Sequence, residues 1–165
     1  MTVISSTKNV EALSFTLVAE FDASVERVWQ IWEDPRQLER WWGPPTWPAT
    51  FEKHEFTPGG EASYYMTGPE GERAGGWWRI TDIQPPNRLE FDDGFADENG
   101  DPVESMGTTH ASVMLEDIGG RTRMTVNSVF ESEEQMGKML EMGMEEGMQE
   151  AAGQIDGILA EHSHA

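Results

Sequence analysis

Cysteine is absent from this 165-residue chain, which excludes a disulfide framework, a thiolate metal site and a cysteine nucleophile. Basic residues are scarce: 11 Lys plus Arg stand against 31 Asp plus Glu, a formal net charge of -20, and the lysines are Lys8, Lys53 and Lys138 alone. Such a surface favours solubility and repels phosphate backbones and anionic headgroups, because nucleic-acid affinity rests on neutralising phosphates with Lys and Arg. Neither nucleic acid nor a membrane is therefore an expected partner, whereas a basic protein partner stays open. Long apolar runs are missing as well. Nowhere do eighteen apolar residues follow one another, and MTVISSTKNVEALSF lacks the apolar core of a secretory signal, so the expected location is cytoplasmic.

Signatures of familiar chemistry are also missing: the chain has no H-E-x-x-H, no Walker loop, no G-x-S-x-G and no G-x-G-x-x-G. The acidic stretch Asp92 to Asp101 lacks EF-hand spacing, since counting back from Gly94 or Gly100 puts an apolar residue where the first carboxylate ligand belongs. His162 and His164 stand at the C-terminus without a suitable ligand nearby. No catalytic residue, metal or cofactor is assigned on these grounds.

What is present reads as one α+β domain. Phe15, Leu17, Ala19 and Phe21 alternate with mostly polar neighbours, the period of a half-buried strand. Ser24 offers an N-cap to a short helix whose buried face is Val25, Val28, Trp29 and Trp32, and Asp34-Pro35 starts a second with Leu38, Trp41 and Trp42. Strong turn signals then separate strands expected near residues 49–57, 61–67, 74–83, 88–92, 108–117 and 121–130, an antiparallel meander of seven strands with the first. Ser132 and Gln135 form a capping box for a C-terminal helix. Its stripe of Met136, Leu140, Met144, Met148, Ala151, Ile155, Ile158 and Leu159 runs roughly 28 residues, about 42 Å. Gly137, Gly143, Gly147, Gly153 and Gly157 each cost up to about 1 kcal/mol there, so packing against the sheet has to hold the helix; the glycines near Met144 and Met148 leave room beside the helix or permit a bend, with close packing of helix on sheet the favoured reading. The expected domain spans residues 14–161, after a flexible segment 1–13 and before a flexible tail 162–165.

Several motifs together resemble a known family. They are Ala23-Ser24-Val25-Glu26-Arg27-Val28-Trp29, Asp34-Pro35 through Trp41-Trp42-Gly43-Pro44, Pro58-Gly59-Gly60, Gly68-Pro69-Glu70-Gly71, Ile83-Gln84-Pro85-Pro86-Asn87-Arg88-Leu89 and Gly119-Gly120-Arg121-Thr122-Arg123-Met124-Thr125. Over roughly residues 14–160 the chain resembles the START-like (SRPBCC, helix-grip) superfamily. Within it, the match is to bacterial homologues of the C-terminal domain of the ninety-kilodalton heat-shock chaperone's ATPase activator. The resemblance implies a curved antiparallel sheet wrapped around the long C-terminal helix, two short helices after the first strand, and an apolar cavity between sheet and helix. It also implies that relatives bind lipids, hormones or polyketides, and that some act as cyclases.

Seven tryptophans are an unusual number for this length, and their placement bears on the cavity. Trp29 and Trp32 read as structural anchors of the first helix. Trp42, Trp47, Tyr64, Met66, Trp78 and Phe91 fall on inward faces or in the loop that roofs the cavity, opposite Met144 and Met148. An apolar, aromatic wall with a few polar groups is the composition of a small-molecule pocket, so these eight are the candidate ligand-binding residues. His110 falls on the face opposite Thr109, Ala111, Val113 and Leu115 and is expected in solvent. Around residues 51–56 the alternation leaves the face of His54 open, and a bulge would decide it; His54 with Glu52 or Glu55 is the candidate acid-base pair, and a surface ion pair is the favoured reading. The expected function is binding of a hydrophobic or aromatic small molecule. One alternative is an enzyme of the polyketide cyclase or hydratase type, which requires a polar group of perturbed pKa in the cavity, with His54, Glu55 or Tyr65 as candidates. The other is a co-chaperone or protein-binding module. Monomer and homodimer stay equally open.

Overall fold

The computed structural model describes residues 3–43, 45–97, 99–103 and 107–162, the side chains of residues 3, 4, 161 and 162 excepted. His164 therefore lies outside the described residues. The chain opens with strands β1 (Val3–Asn9) and β2 (Ser14–Phe21), then helices α1 (Val25–Glu33) and α2 (Pro35–Trp41). Six strands follow: β3 (Ala49–His54), β4 (Glu61–Thr67), β5 (Arg73–Gln84), β6 (Arg88–Ala96), β7 (Thr108–Asp117) and β8 (Thr122–Val129). They join one antiparallel sheet in the order β1-β2-β8-β7-β6-β5-β4-β3.

The sheet thus has eight strands, not the expected seven. The additional strand is β1, in the segment expected to precede the domain. Its sequence VISSTKN lacks an apolar alternation, so no burial pattern marked it. It forms because it pairs with β2 from Val3–Glu20 to Asn9–Ser14 and is tied to the C-terminal helices. Ser6 donates to the Glu145 carboxylate at 2.7 Å and accepts from Gln149 at 2.7 Å, while Lys8 pairs with Glu145 at 3.1 Å.

The C-terminal helix is also not continuous. It divides into α3 (Glu133–Glu141), α4 (Met144–Gly153) and α5 (Ile155–His162). Ser132 caps α3 by accepting from the Gln135 N–H at 3.1 Å, as the capping box requires. The first break falls at Gly143, whose φ of 87° is the left-handed conformation that glycine adopts without steric cost. The bend that the glycines permit is therefore realised there. Gln154, at the second break, donates to the Gly43 carbonyl at 2.7 Å and so fastens the segments to the loop after α2.

The caps of the two short helices follow the sequence: Ser24 accepts from Arg27 N–H at 3.2 Å, and Asp34 from Arg36 N–H at 2.9 Å. Trp32 of α1 meets Trp41 of α2 edge-to-face at 4.7 Å between ring centres, and Trp42, half-buried just after α2, meets Trp78 on the inner face of the sheet in the same way at 4.9 Å. Trp41 donates its indole N–H to the Ile31 carbonyl at 3.0 Å, which holds α2 against α1.

Candidate functional site

A cavity of about 530 Å³ lies between the inner face of the sheet and segments α3 and α4. Pairing across the sheet decides which side chains reach it, since opposed residues share a face. Tyr64 on β4 stands opposite Gly76, and Gly76 opposite Phe95. One row along, Trp78 opposes Asp93, which opposes Thr109 on β7. The helical side contributes Met139, Met142, Met144 and Met148, with Gly143 and Gly147 between them. Met142 is 59% exposed and so marks where the cavity wall meets solvent.

Of the eight candidate residues, Trp42, Trp47, Tyr64, Met66, Phe91, Met144 and Met148 line this cavity. Trp78 is placed differently: it is fully buried and stacks on Phe91 at 4.1 Å with the planes 22° apart, which puts it behind the wall. Trp32, read as an anchor, is fully buried and also reaches the cavity, as does Trp41.

The residue that the sequence reasoning missed is Asp93. It sits on the inward row of β6 between Phe91 and Phe95, and its partial accessibility faces the cavity. The Tyr64 hydroxyl donates to its Oδ1 at 3.0 Å. Burial pushes the Asp93 carboxyl up to about 7, against the opposing pull of that hydrogen bond and of the Gly94 N–H. The Tyr64 hydroxyl is pushed well above its ordinary range, first by burial and then by the neighbouring Asp93 charge. Among the described residues that line the cavity none is basic, so no cation offsets Asp93.

The indole N–H groups of Trp42 and Trp78 lie on the side of the Tyr64 hydroxyl, where they would favour its ionised form. Neither is aligned in a hydrogen bond to a described residue, although both nitrogens are buried. A buried donor without an acceptor costs on the order of 1–3 kcal/mol. Gly76 makes the arrangement possible: a Cβ there would meet Tyr64 Cζ at 2.2 Å.

The two histidines part ways. His110 faces outward and contacts Asp92 at 2.8 Å and Glu90 at 3.1 Å, as its register implies. Those acceptors hold the imidazole pKa above its ordinary value, Asp92 foremost. His54 is not in a surface ion pair. The register shifts between Phe51 and Lys53, and this bulge lets Phe51 and His54 face inward together. Its Nε2 lies 3.0 Å from the Trp32 carbonyl, which can only accept, so Nε2 carries the proton. Desolvation lowers its pKa, and Nδ1 is left without a partner. His54 is outside the cavity wall. Tyr65 points to the other face, where the Arg73 guanidinium covers its ring at 4.2 Å. Among the described residues no group of three or more His, Asp or Glu is placed to hold a metal, and no helix is long and apolar enough to cross a membrane.

An antiparallel sheet, C-terminal helical segments on one face and an apolar cavity between them define a domain of the SRPBCC type. The chain belongs to the family described as Activator of Hsp90 ATPase homolog 1-like protein, whose model matches residues 22–160. It is 70% identical to a protein of Arthrobacter aurescens whose solution structure superposes with a TM-score of 0.92, over 96% of this chain and 92% of that one. A Mycobacterium smegmatis protein of known crystal structure is 40% identical with a TM-score of 0.88, over 95% and 97%. The AHSA1 protein of Silicibacter pomeroyi, 21% identical with a TM-score of 0.71 over 89% and 97%, shares the fold. No curated protein matches the chain.

Proposed function

We propose that this protein binds a hydrophobic or aromatic small molecule in the cavity between the sheet and α3–α4, with Trp42, Trp47, Tyr64, Met66, Phe91, Met144 and Met148 as contacts. The observation that carries the reading is the composition of the wall: tryptophan and phenylalanine on one side, methionine on the other, and few polar groups. A volume of about 530 Å³ is that of pockets for drug-sized ligands. Methionine thioethers adapt to ligand shape, which suits the helical wall to this role. Titration with a panel of alkyl and polycyclic aromatic compounds, followed by backbone-amide NMR, tests it. Saturable shifts at Phe91 and across residues 139–148 are expected; a silent broad panel overturns the reading.

A second reading is an acid-base enzyme of the cyclase type. It is favoured by Asp93, a carboxyl pushed up to about 7 inside an apolar cavity and joined to a tyrosine hydroxyl. Turnover of a bound compound that is lost in Asp93→Asn while binding persists would select it. The family description suggests chaperone activation, but the large exposed apolar side chains Val10, Met114, Val129 and Met142 belong to four different segments and offer less to a partner than the cavity offers to a ligand.

A further inference from the structure

Buried polar groups in an apolar wall have a cost that needs an explanation, and the Tyr64–Asp93 pair has unused hydrogen-bonding capacity. An ionised carboxylate offers about four acceptor positions. Here Asp93 uses one for the Tyr64 hydroxyl and one for the Gly94 N–H. The Trp42 indole N–H is buried against the Tyr64 hydroxyl, with no surface open to the cavity. The pair therefore presents an acceptor to whatever fills the space.

We propose that Tyr64 and Asp93 form a head-group subsite that selects a hydroxyl-bearing hydrophobe, a phenol or an alcohol, over an anionic one. This rests on the reading of the cavity as a ligand site. A hydroxyl donates to Asp93 without bringing a charge of its own into the apolar cavity. An ammonium loses its own hydration in the apolar cavity, a cost that pairing with one carboxylate offsets only in part. A carboxylate has acceptors only and puts a second negative charge beside Asp93, in a low-dielectric space with no described basic side chain on its wall. The net charge of -20 opposes an anion at longer range too. The hydroxyl also tolerates titration of Asp93, accepting from the acid or donating to the carboxylate.

The test compares three probes with one body: octylphenol, its methyl ether and the corresponding octylbenzoate, titrated by calorimetry at mildly alkaline pH. Wild-type protein is expected to hold the phenol about tenfold tighter than either competitor, the difference made by one charge-assisted hydrogen bond. Asp93→Leu is expected to bring all three within about twofold of one another. Asp93→Asn, nearly isosteric and safer for folding, is expected to raise the benzoate relative to the phenol. Benzoate binding as tightly as phenol to the wild type overturns the subsite, and so does an unchanged preference in either variant. If the probes bind equally, the subsite falls while the cavity reading stands; if none binds, both fall.

Discussion

Replacing Asp93 with Asn tests directly whether its carboxyl is desolvated. In the folded protein the pKa rises from an ordinary 3.8 to about 7, so between those values the folded state holds a proton that the unfolded chain has released. Stability attributable to this group is therefore full below about pH 4 and is lost as pH rises to about 7. Roughly three pH units at 1.36 kcal/mol each give about 4 kcal/mol, an upper value because water entering the cavity would solvate the carboxylate. Asn keeps the shape and an acceptor for the Tyr64 hydroxyl but does not titrate. Urea denaturation of both proteins across this range should show the variant gaining on the wild type with each step in pH, then a plateau above neutrality. Two stability curves that stay parallel from acid to neutral pH would refute the reasoning, because they would mean that Asp93 ionises as freely in the fold as outside it.

Gly76→Ala should destabilise the protein by about 1–3 kcal/mol, because Tyr64 is stacked on Phe51 at 4.8 Å and has little room to retreat from the added methyl. Chemical denaturation measures it, and a neutral effect would show that the ring does shift. His54→Phe removes the bond to the Trp32 carbonyl, worth about 1 kcal/mol, together with the titration. Since the folded pKa is lowered, wild-type stability carries no His54 penalty above the unfolded value of about 6.5 and falls as pH drops below it. The wild type's advantage in paired thermal melts should therefore shrink towards about pH 5; a gap independent of pH contradicts the neutral, buried imidazole.

Alternation and capping were sufficient for β2, β7, β8 and the starts of α1, α2 and α3, because in each the local signal agrees with the tertiary environment. They were insufficient where pairing outweighs local preference. Asp92-Asp93-Gly94 has poor strand propensity, so β6 reads from sequence as ending at residue 92, yet pairing with β7 carries it to Gly94 and pairing with β5 to Ala96. Continuing the alternation Leu89, Phe91, Asp93, Phe95 two steps further would have put a carboxyl on the inner face. The bulge at β3 is a comparable case: it shifts the inward set from Phe51 to His54, and no residue type in Phe51-Glu52-Lys53-His54 announces it. Trp78 was assigned to the correct face, but depth within a face depends on what packs above it, and α1 and α2 bring Trp32 and Trp42 over its ring.

The two walls of the cavity differ in stiffness, and the difference follows from their residues. Trp32, Trp41, Trp42, Trp78 and Phe91 lock one another at fixed angles on the sheet side, so a group bound beside Trp42 and Asp93 meets a constant geometry. Met139, Met142, Met144 and Met148 face them from a helix interrupted at Gly143, where unbranched side chains and a left-handed glycine let the surface reshape. A ligand would then be fixed by its head and tolerated in its body. Variation in the apolar part should change affinity gradually, while loss of the hydroxyl should change it in one step. That contrast between a graded and a stepwise response is what separates an anchored site from a cavity that merely accepts grease.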